Sequence, residues 1–185
     1  MLKKVTTPLT REIVETLEAG DRVLLNGVIY TGRDAAHKRL FELIEKGEPL
    51  PIDINNQTIY YVGPCPAKPG QAIGSAGPTT SGRMDDYSPL LLDHGLRGMI
   101  GKGLRRKDVV DSMIKNGCVY FAAIGGAGAL LAQAVKEAEV VAFDDLGPEA
   151  IYKLTVEDFP VTVIIDNKGN NLYAIGQETY QKKAD

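Results

Sequence analysis

Residues 63–82, GPCPAKPGQAIGSAGPTTSG, constrain the fold more than any other part of the chain. Proline lacks the N–H that a helix or inner strand needs, and glycine loses the most conformational entropy when ordered. A run this dense in both is neither helix nor strand, yet apolar, patterned segments flank it on both sides. It reads as a built loop between a strand and a helix, too specific in composition for a linker. Its end is rich in hydroxyls, which suits backbone N–H groups brought close to an anion.

Around this loop, β-prone runs alternate with helical patterns. Strands are expected at 3–7, 22–30, 59–62, 98–101, 118–124, 139–143, 152–155 and 161–166. Thr10 is placed to cap a first helix with Ile13, Val14 and Leu17 on its apolar face, and Gly20 ends it. Asp34 is the expected cap of a second helix, with Leu40, Phe41, Leu43 and Ile44 inward and Gly47 as its stop. Further helices are read at 84–94, broken or restarted at Pro89, at 108–116, and at 127–138. Residues 167–170 form a turn that 172–175 complete as a hairpin, and 177–185 read as a frayed polar tail. The alternation predicts an α/β fold: a single domain over 1–185 with a mixed β-sheet and flanking helices.

The chain has 185 residues, 44% of them hydrophobic, enough for one sizeable core. Its net charge of -3 argues against a nucleic-acid partner, which selects a basic excess. No apolar run is long enough to span a bilayer, and the opening MLKKVTTPLT has no hydrophobic region after its lysines. A cytoplasmic protein is expected. Cys65 and Cys118 allow one disulfide, but without an export signal two reduced thiols fit better.

Three segments carry more chemistry than folding requires: Thr31-Gly32-Arg33-Asp34, Gly77-Pro78-Thr79-Thr80-Ser81-Gly82-Arg83 and Gly101-Lys102-Gly103. Each sets a cation beside glycine in a loop. Glycine admits a ligand close to the backbone, and arginine offers a planar fork that matches a carboxylate. A four-carbon dicarboxylate needs an anchor at each end. Arg33 and Arg83 supply two, Lys102 a third charge, and Thr79, Thr80 and Ser81 add hydroxyls for orientation or proton transfer. Each cation taken alone also reads as a solvated loop residue, and the pattern does not show that the loops meet.

The strings GVIYTGRDAAHKR from Gly27, YVGPCP from Tyr61 and GSAGPTTSGRMD from Gly74 are similar to the C-terminal region of class I fumarases, as is the later Pro160-Val161 strand with Asp166, Gly169, Asn170 and Leu172-Tyr173. The resemblance runs over nearly the whole chain. It implies a swivelling β/β/α domain that closes over a [4Fe–4S] cluster held by three cysteines of another domain or subunit. It further implies that Arg33, Arg83 and Lys102, with Ser81 beside them, bind the substrate, and that Thr79 and Thr80 lie at the reacting carbons. With only Cys65 and Cys118, the cluster is expected on a cluster-bearing α subunit. This chain would then be the β subunit of a hydro-lyase that hydrates fumarate to (S)-malate in the tricarboxylic acid cycle, inactive alone. A tartrate dehydratase β subunit is the close alternative. A heterotetramer of two each is what the family suggests, with a homodimer possible for this chain by itself.

Several features have plainer readings. His37 reads as an exposed helix residue near Arg33, and His94 as a helix-end cap. Arg105-Arg106-Lys107 reads as a solvated face or part of a subunit contact. Cys118 reads as a buried small hydrophobe and Cys65 as structural. The rival function of another class is a dinucleotide-binding module using the turn Gly125-Gly126-Ala127-Gly128, with Asp144 and Asp145 near the expected ribose-binding position. Leu131 stands where that fingerprint needs its third glycine.

Overall fold

The computed structural model describes residues 1–123 and 127–177. Five strands run parallel in the order β1 (Leu2–Thr6), β2 (Arg22–Thr31), β3 (Thr58–Tyr60), β4 (Gly98–Gly101) and β5 (Val119–Ala122). The strand β7 (Ile151–Ile165) pairs antiparallel with both β5 and β2. That double pairing closes β2, β3, β4, β5 and β7 into a ring. The strand β6 (Val135–Ala142) lies antiparallel on the free half of β7. The sheet is thus mixed, as expected, but the closure is not visible in the alternation of elements.

Side chains alternate across the strands and fall into two clusters. One holds Val23, Leu25, Ile29, Tyr60, Ile100, Phe121, Leu154, Phe159 and Val163, contributed by all five ring strands. The other packs Ile59, Tyr61, Met99 and Tyr120 under the helices α2 (Asp34–Glu45), α3 (Ser88–Asp93) and α4 (Lys107–Asn116). The short helix α1 (Arg11–Glu15) is capped by Thr10, whose Oγ1 accepts from Ile13 N at 3.4 Å. Pro89 stands in the first turn of α3, where its missing N–H costs nothing, so it starts that helix. Helix α4 ends at Gly117, whose left-handed φ of 66° glycine adopts without strain.

Three expected elements are corrected. The segment 127–138 is not one helix: α5 spans only Gly128–Gln133, and β6 begins at Val135. Its Ala- and Leu-rich sequence favours helix, but the open edge of β7 supplies a hydrogen-bonded ladder that outweighs local propensity. The strands read at 152–155 and 161–166 are one 15-residue strand. Asp158 interrupts the apolar pattern with a φ of 49°, at a register shift opposite Asn26. Asn26 bridges the bulge, donating to Asp158 Oδ1 and accepting from Asp158 N at 3.0 Å. Residues 172–177 are helical, not a hairpin strand. Asn171 initiates that helix by accepting from Tyr173 N at 3.0 Å. The turn before it is organised by Asp166, which accepts from Lys168 N and Asn170 N at 3.0 Å. Most of the expected frayed tail lies outside the described residues.

Arg105 overturns the reading of 105–107 as a solvated face. Its guanidinium is buried, donates from Nε to Asp85 Oδ1 at 2.7 Å and from Nη2 to Ser88 Oγ at 2.9 Å, and lies 5.4 Å and 5.0 Å from the ring centres of Tyr61 and Tyr120. Asp85 Oδ2 also accepts from Arg106 N at 2.9 Å. Burial disfavours the Arg105 charge, but Tyr61 and Asp85 more than offset it, and its pKa lies above the usual arginine value. Arg106 and Lys107 are exposed as expected.

Breaking a buried pair leaves an uncompensated charge, whereas a surface pair contributes little. Arg105→Met is therefore expected to lower stability by about 3–5 kcal/mol in equilibrium urea unfolding, and Arg106→Ala by less than about 1 kcal/mol.

Candidate functional site

The three cation-bearing loops leave the carboxyl ends of three neighbouring parallel strands. Thr31 ends β2, Tyr60 ends β3 and Gly101 ends β4, and the register pairs Thr31 with Tyr60 and Tyr60 with Ile100. Loops at the carboxyl ends of parallel strands are the usual place for a ligand. The spacing that sequence alone left open is therefore set by strand order.

At the first loop, Thr31 Oγ1 donates to Ala150 O at 3.3 Å and accepts from Tyr152 N at 3.0 Å, pinning the start of β7. Arg33 is the N-cap of α2 in extended geometry and makes no side-chain cap bond. Asp34 is the first helical residue, one position later than expected. Its carboxylate turns away from the helix end: Oδ1 accepts from Arg83 Nε at 3.0 Å. Arg33 Nε lies 4.0 Å from Asp34 Oδ2 and 3.8 Å from Glu149 Oε1. Arg33, Asp34, Arg83 and Glu149 thus form one ionic group drawn from three segments.

The second loop is laid against β3 and β4. Thr79 N donates to Tyr61 O at 2.7 Å, and Ser81 N to Lys102 O at 2.9 Å, with Thr80 and Lys102 forming an isolated parallel bridge. A 3₁₀ turn at Ser81–Met84 then carries Arg83 outward. Thr79 is half-buried, while Thr80, Arg83 and Lys102 are exposed. Ser81 is buried. Tyr120 OH donates to Gly103 O at 2.8 Å, so it accepts from Ser81 Oγ, 2.9 Å away. Burial holds the Tyr120 phenol well above its ordinary pKa, keeping it a donor. A Cβ on Gly101 would overlap Ser81 Oγ, so only glycine lets this turn sit on β4.

The structure thus brings Arg33 to Arg83 through Asp34, and Thr80 to Lys102 directly; the 3₁₀ turn joins the two pairs. Sequence reading missed Asp34 as an ion partner, and Glu149, Asp85 and Tyr120 altogether. The RMDD string hinted at Asp85, but Glu149 arrives from a distant hairpin and left no local signal.

His37 is a further correction: it is fully buried, not exposed. One face of α2 points at Tyr61, whose ring meets the imidazole edge-on with centroids 5.1 Å apart. Nδ1 pairs with Arg33 O at 2.9 Å, while Nε2 is buried without a partner. Burial lowers the His37 pKa to about 4, so the ring is neutral at pH 7 with its proton on Nδ1. His94 is the C-cap residue of α3, with Nδ1 on Leu90 O at 2.9 Å.

The cysteines do not fit a cluster. Cys118 is buried, donates to Leu96 O at 3.3 Å, and burial pushes its thiol up to about 12. A metal ligand must be a thiolate, and Cys65, exposed on its loop, stands without a second donor of that kind. Among the described residues no group of three His, Cys, Asp or Glu side chains is arranged to hold a metal. Gly125 and Gly126 of the dinucleotide-like turn lie outside the described residues. The chain beyond them departs from that motif: a six-residue helix leads into β6, which pairs antiparallel with β7. A dinucleotide unit needs its second strand parallel beside the first. No helix among the described residues is long and apolar enough to cross a membrane.

A family model described as the fumarase C-terminus matches residues 2–176. The chain is 44% identical over 93% of its length to the anaerobic class I fumarate hydratase of Escherichia coli K12, of which it covers 31%. It is 43% identical over 89% of its length to fumarate hydratase 2 of Leishmania major, covering 29% of that protein. The chain therefore spans about three tenths of the fumarate hydratases it matches. A protein of Methanocaldococcus jannaschii, whose name of L(+)-tartrate dehydratase subunit beta is itself provisional, is 40% identical over 94% of this chain and 93% of its own length.

The lowered His37 pKa fixes a sign for the pH dependence of stability. A folded-state value below the ordinary 6.5 means that its contribution is complete above pH 6.5 and is lost as pH falls towards 4. Between pH 7 and pH 4 the parent protein should lose about 3 kcal/mol more than His37→Gln, because carboxylates such as Asp21 titrate alike in both. Urea midpoints across that range check it.

Proposed function

The chain belongs to the fumarase C-terminus family, and from that premise we propose that it is the substrate-clamping β subunit of a dicarboxylate hydro-lyase. It acts as a single domain over 1–185, in the cytoplasm, with a cluster-bearing α subunit in a complex of two chains each. Two free thiols suit that reducing compartment. The reaction is the reversible hydration of fumarate to (S)-malate. The observation that carries the reading is the meeting of Arg33, Arg83, Lys102, Thr79 and Thr80 at the carboxyl ends of β2, β3 and β4.

Each residue has a role that its placement supports. Arg33 and Arg83 grip the two carboxylates, with Lys102 adding charge where Thr80 lies beside it. Thr79 and Thr80 face the reacting carbons. A threonine hydroxyl is a weak base, and moves a proton only where cations stabilise its alkoxide in a site closed to water. The three cations provide that field once the domain swings onto its partner. Ser81, expected at the substrate, contributes instead by holding the turn against Tyr120. A [4Fe–4S] cluster belongs to the α subunit in this reading, since the donors in this chain do not fit one.

L(+)-tartrate dehydration is the second reading. The near end-to-end match to the Methanocaldococcus jannaschii subunit favours it, and one extra hydroxyl on the substrate changes few contacts with these loops.

Anaerobic co-expression with the cluster-bearing chain, followed by assays of fumarate, malate and tartrate, tests the proposal. Turnover should require both chains. Arg83→Ala should lower kcat/KM by about 100-fold or more, and one of Thr79→Val and Thr80→Val should lower kcat by about 10²–10⁴-fold. Unchanged rates in both threonine variants would remove them from the chemistry. Preference for tartrate would keep the mechanism and change the substrate.

A further inference from the structure

Asp34 is the first residue of α2, and its carboxylate lies between two guanidinium groups. Oδ1 holds Arg83 Nε at 3.0 Å, and Oδ2 faces Arg33 Nε at 4.0 Å. Asp34 Oδ2 and Arg33 Nε are both buried, and neither has a hydrogen-bond partner. A charged donor and its natural acceptor are thus left apart in a buried setting, which is costly. A movement of about 1 Å brings them to the length of a charge-assisted hydrogen bond.

Both arginines are approached through Nε, the side of the guanidinium nearest the chain. Among the described residues, the terminal nitrogens of Arg33 and Arg83 donate no hydrogen bond, and neither side chain is fully buried, at 28% and 54% exposed. With Arg83 Nε given to Asp34 and Arg33 Nε turned toward Asp34 and Glu149, the outer two-nitrogen edge of each fork remains for a ligand carboxylate, the bidentate geometry that arginine recognises best. Asp34 is the one carboxylate close to both arginines within the group. Glu149 reaches only Arg33, at 3.8 Å, from a more exposed position.

We propose that Asp34 is a positioning residue that spaces the forks of Arg33 and Arg83 for the two ends of a dicarboxylate, its second oxygen closing onto Arg33 Nε when the ligand is held. The inference rests on the dicarboxylate reading above. Asp34 touches the arginines and not the substrate, so it acts equally on ground state and transition state. Its loss then appears in binding and KM, with kcat spared.

The test uses the two-chain complex and two readouts. Calorimetric titration with succinate, a four-carbon dicarboxylate with neither double bond nor hydroxyl, reads binding without turnover. Steady-state assays read KM and kcat. Asp34→Asn, which keeps shape and removes charge, is expected to raise the succinate Kd and the substrate KM by about 10-fold with kcat within about threefold. Because Asp34 acts through Arg83, Asp34→Asn should add little to the loss already caused by Arg83→Lys, a non-additivity that independent roles would not give. Unchanged Kd and KM in Asp34→Asn, additive losses in the double variant, or loss of the fold in Asp34→Asn would each overturn the proposal while leaving the hydro-lyase reading intact. A parent complex that neither binds succinate nor turns over fumarate, malate or tartrate would overturn both.

Discussion

The buried contact between Arg105 and Asp85 ties together the two segments on which most of the candidate site stands. Asp85 follows the 3₁₀ turn that carries Thr80, Ser81 and Arg83, and Arg105 closes the loop that carries Lys102. The guanidinium lies between Tyr61, just past β3, and Tyr120 of β5, so it is braced by both flanking strands. Ser81 and Tyr120 add a second tie to Gly103 O. An ion pair in this setting is a poor source of net stability compared with apolar packing, since both charges give up water. What it provides is register. These contacts fix the loop after β4 against the turn before α3, with Thr80 set beside Lys102.

The exposed part of the site is built in the opposite way. Asp34 bonds Arg83 at 3.0 Å, but Arg33 is held only by long contacts to Asp34 and Glu149, with a buried donor and acceptor that do not meet. A rigid base beneath and an incompletely paired rim above is the arrangement expected where binding must still do work. His37 belongs to the base. Its neutral ring fills the space under α2 against Tyr61, and its Nδ1–H fixes Arg33 O at the start of the helix.

Much of this was legible in the sequence, and the failures have physical causes. The Gly- and Pro-dense loop, the strands β1 to β5 and the helix α4 follow from residue pattern, because each is decided by its own side chains. The choice of Arg33, Thr79, Thr80, Arg83 and Lys102 came from loops whose residue types exceed what folding asks. Elements decided by distant partners were misread. The segment after Gln133 is a strand paired along the edge of β7, and β7 runs on through the bulge at Asp158, which Asn26 bridges. Charge likewise misled: Arg105 and His37 look like surface residues until Asp85 and Tyr61 are placed against them. The partners of a buried polar group come from elsewhere in the fold, so a local pattern carries no trace of them.

A crystal structure of the two-chain complex with a bound four-carbon dicarboxylate tests the central claim most directly. The account predicts one carboxylate on the outer edge of Arg33 and the other on that of Arg83, with the Thr79 and Thr80 hydroxyls facing the carbons between them. A dicarboxylate held wholly by the α subunit, with these three loops turned to solvent, would contradict it.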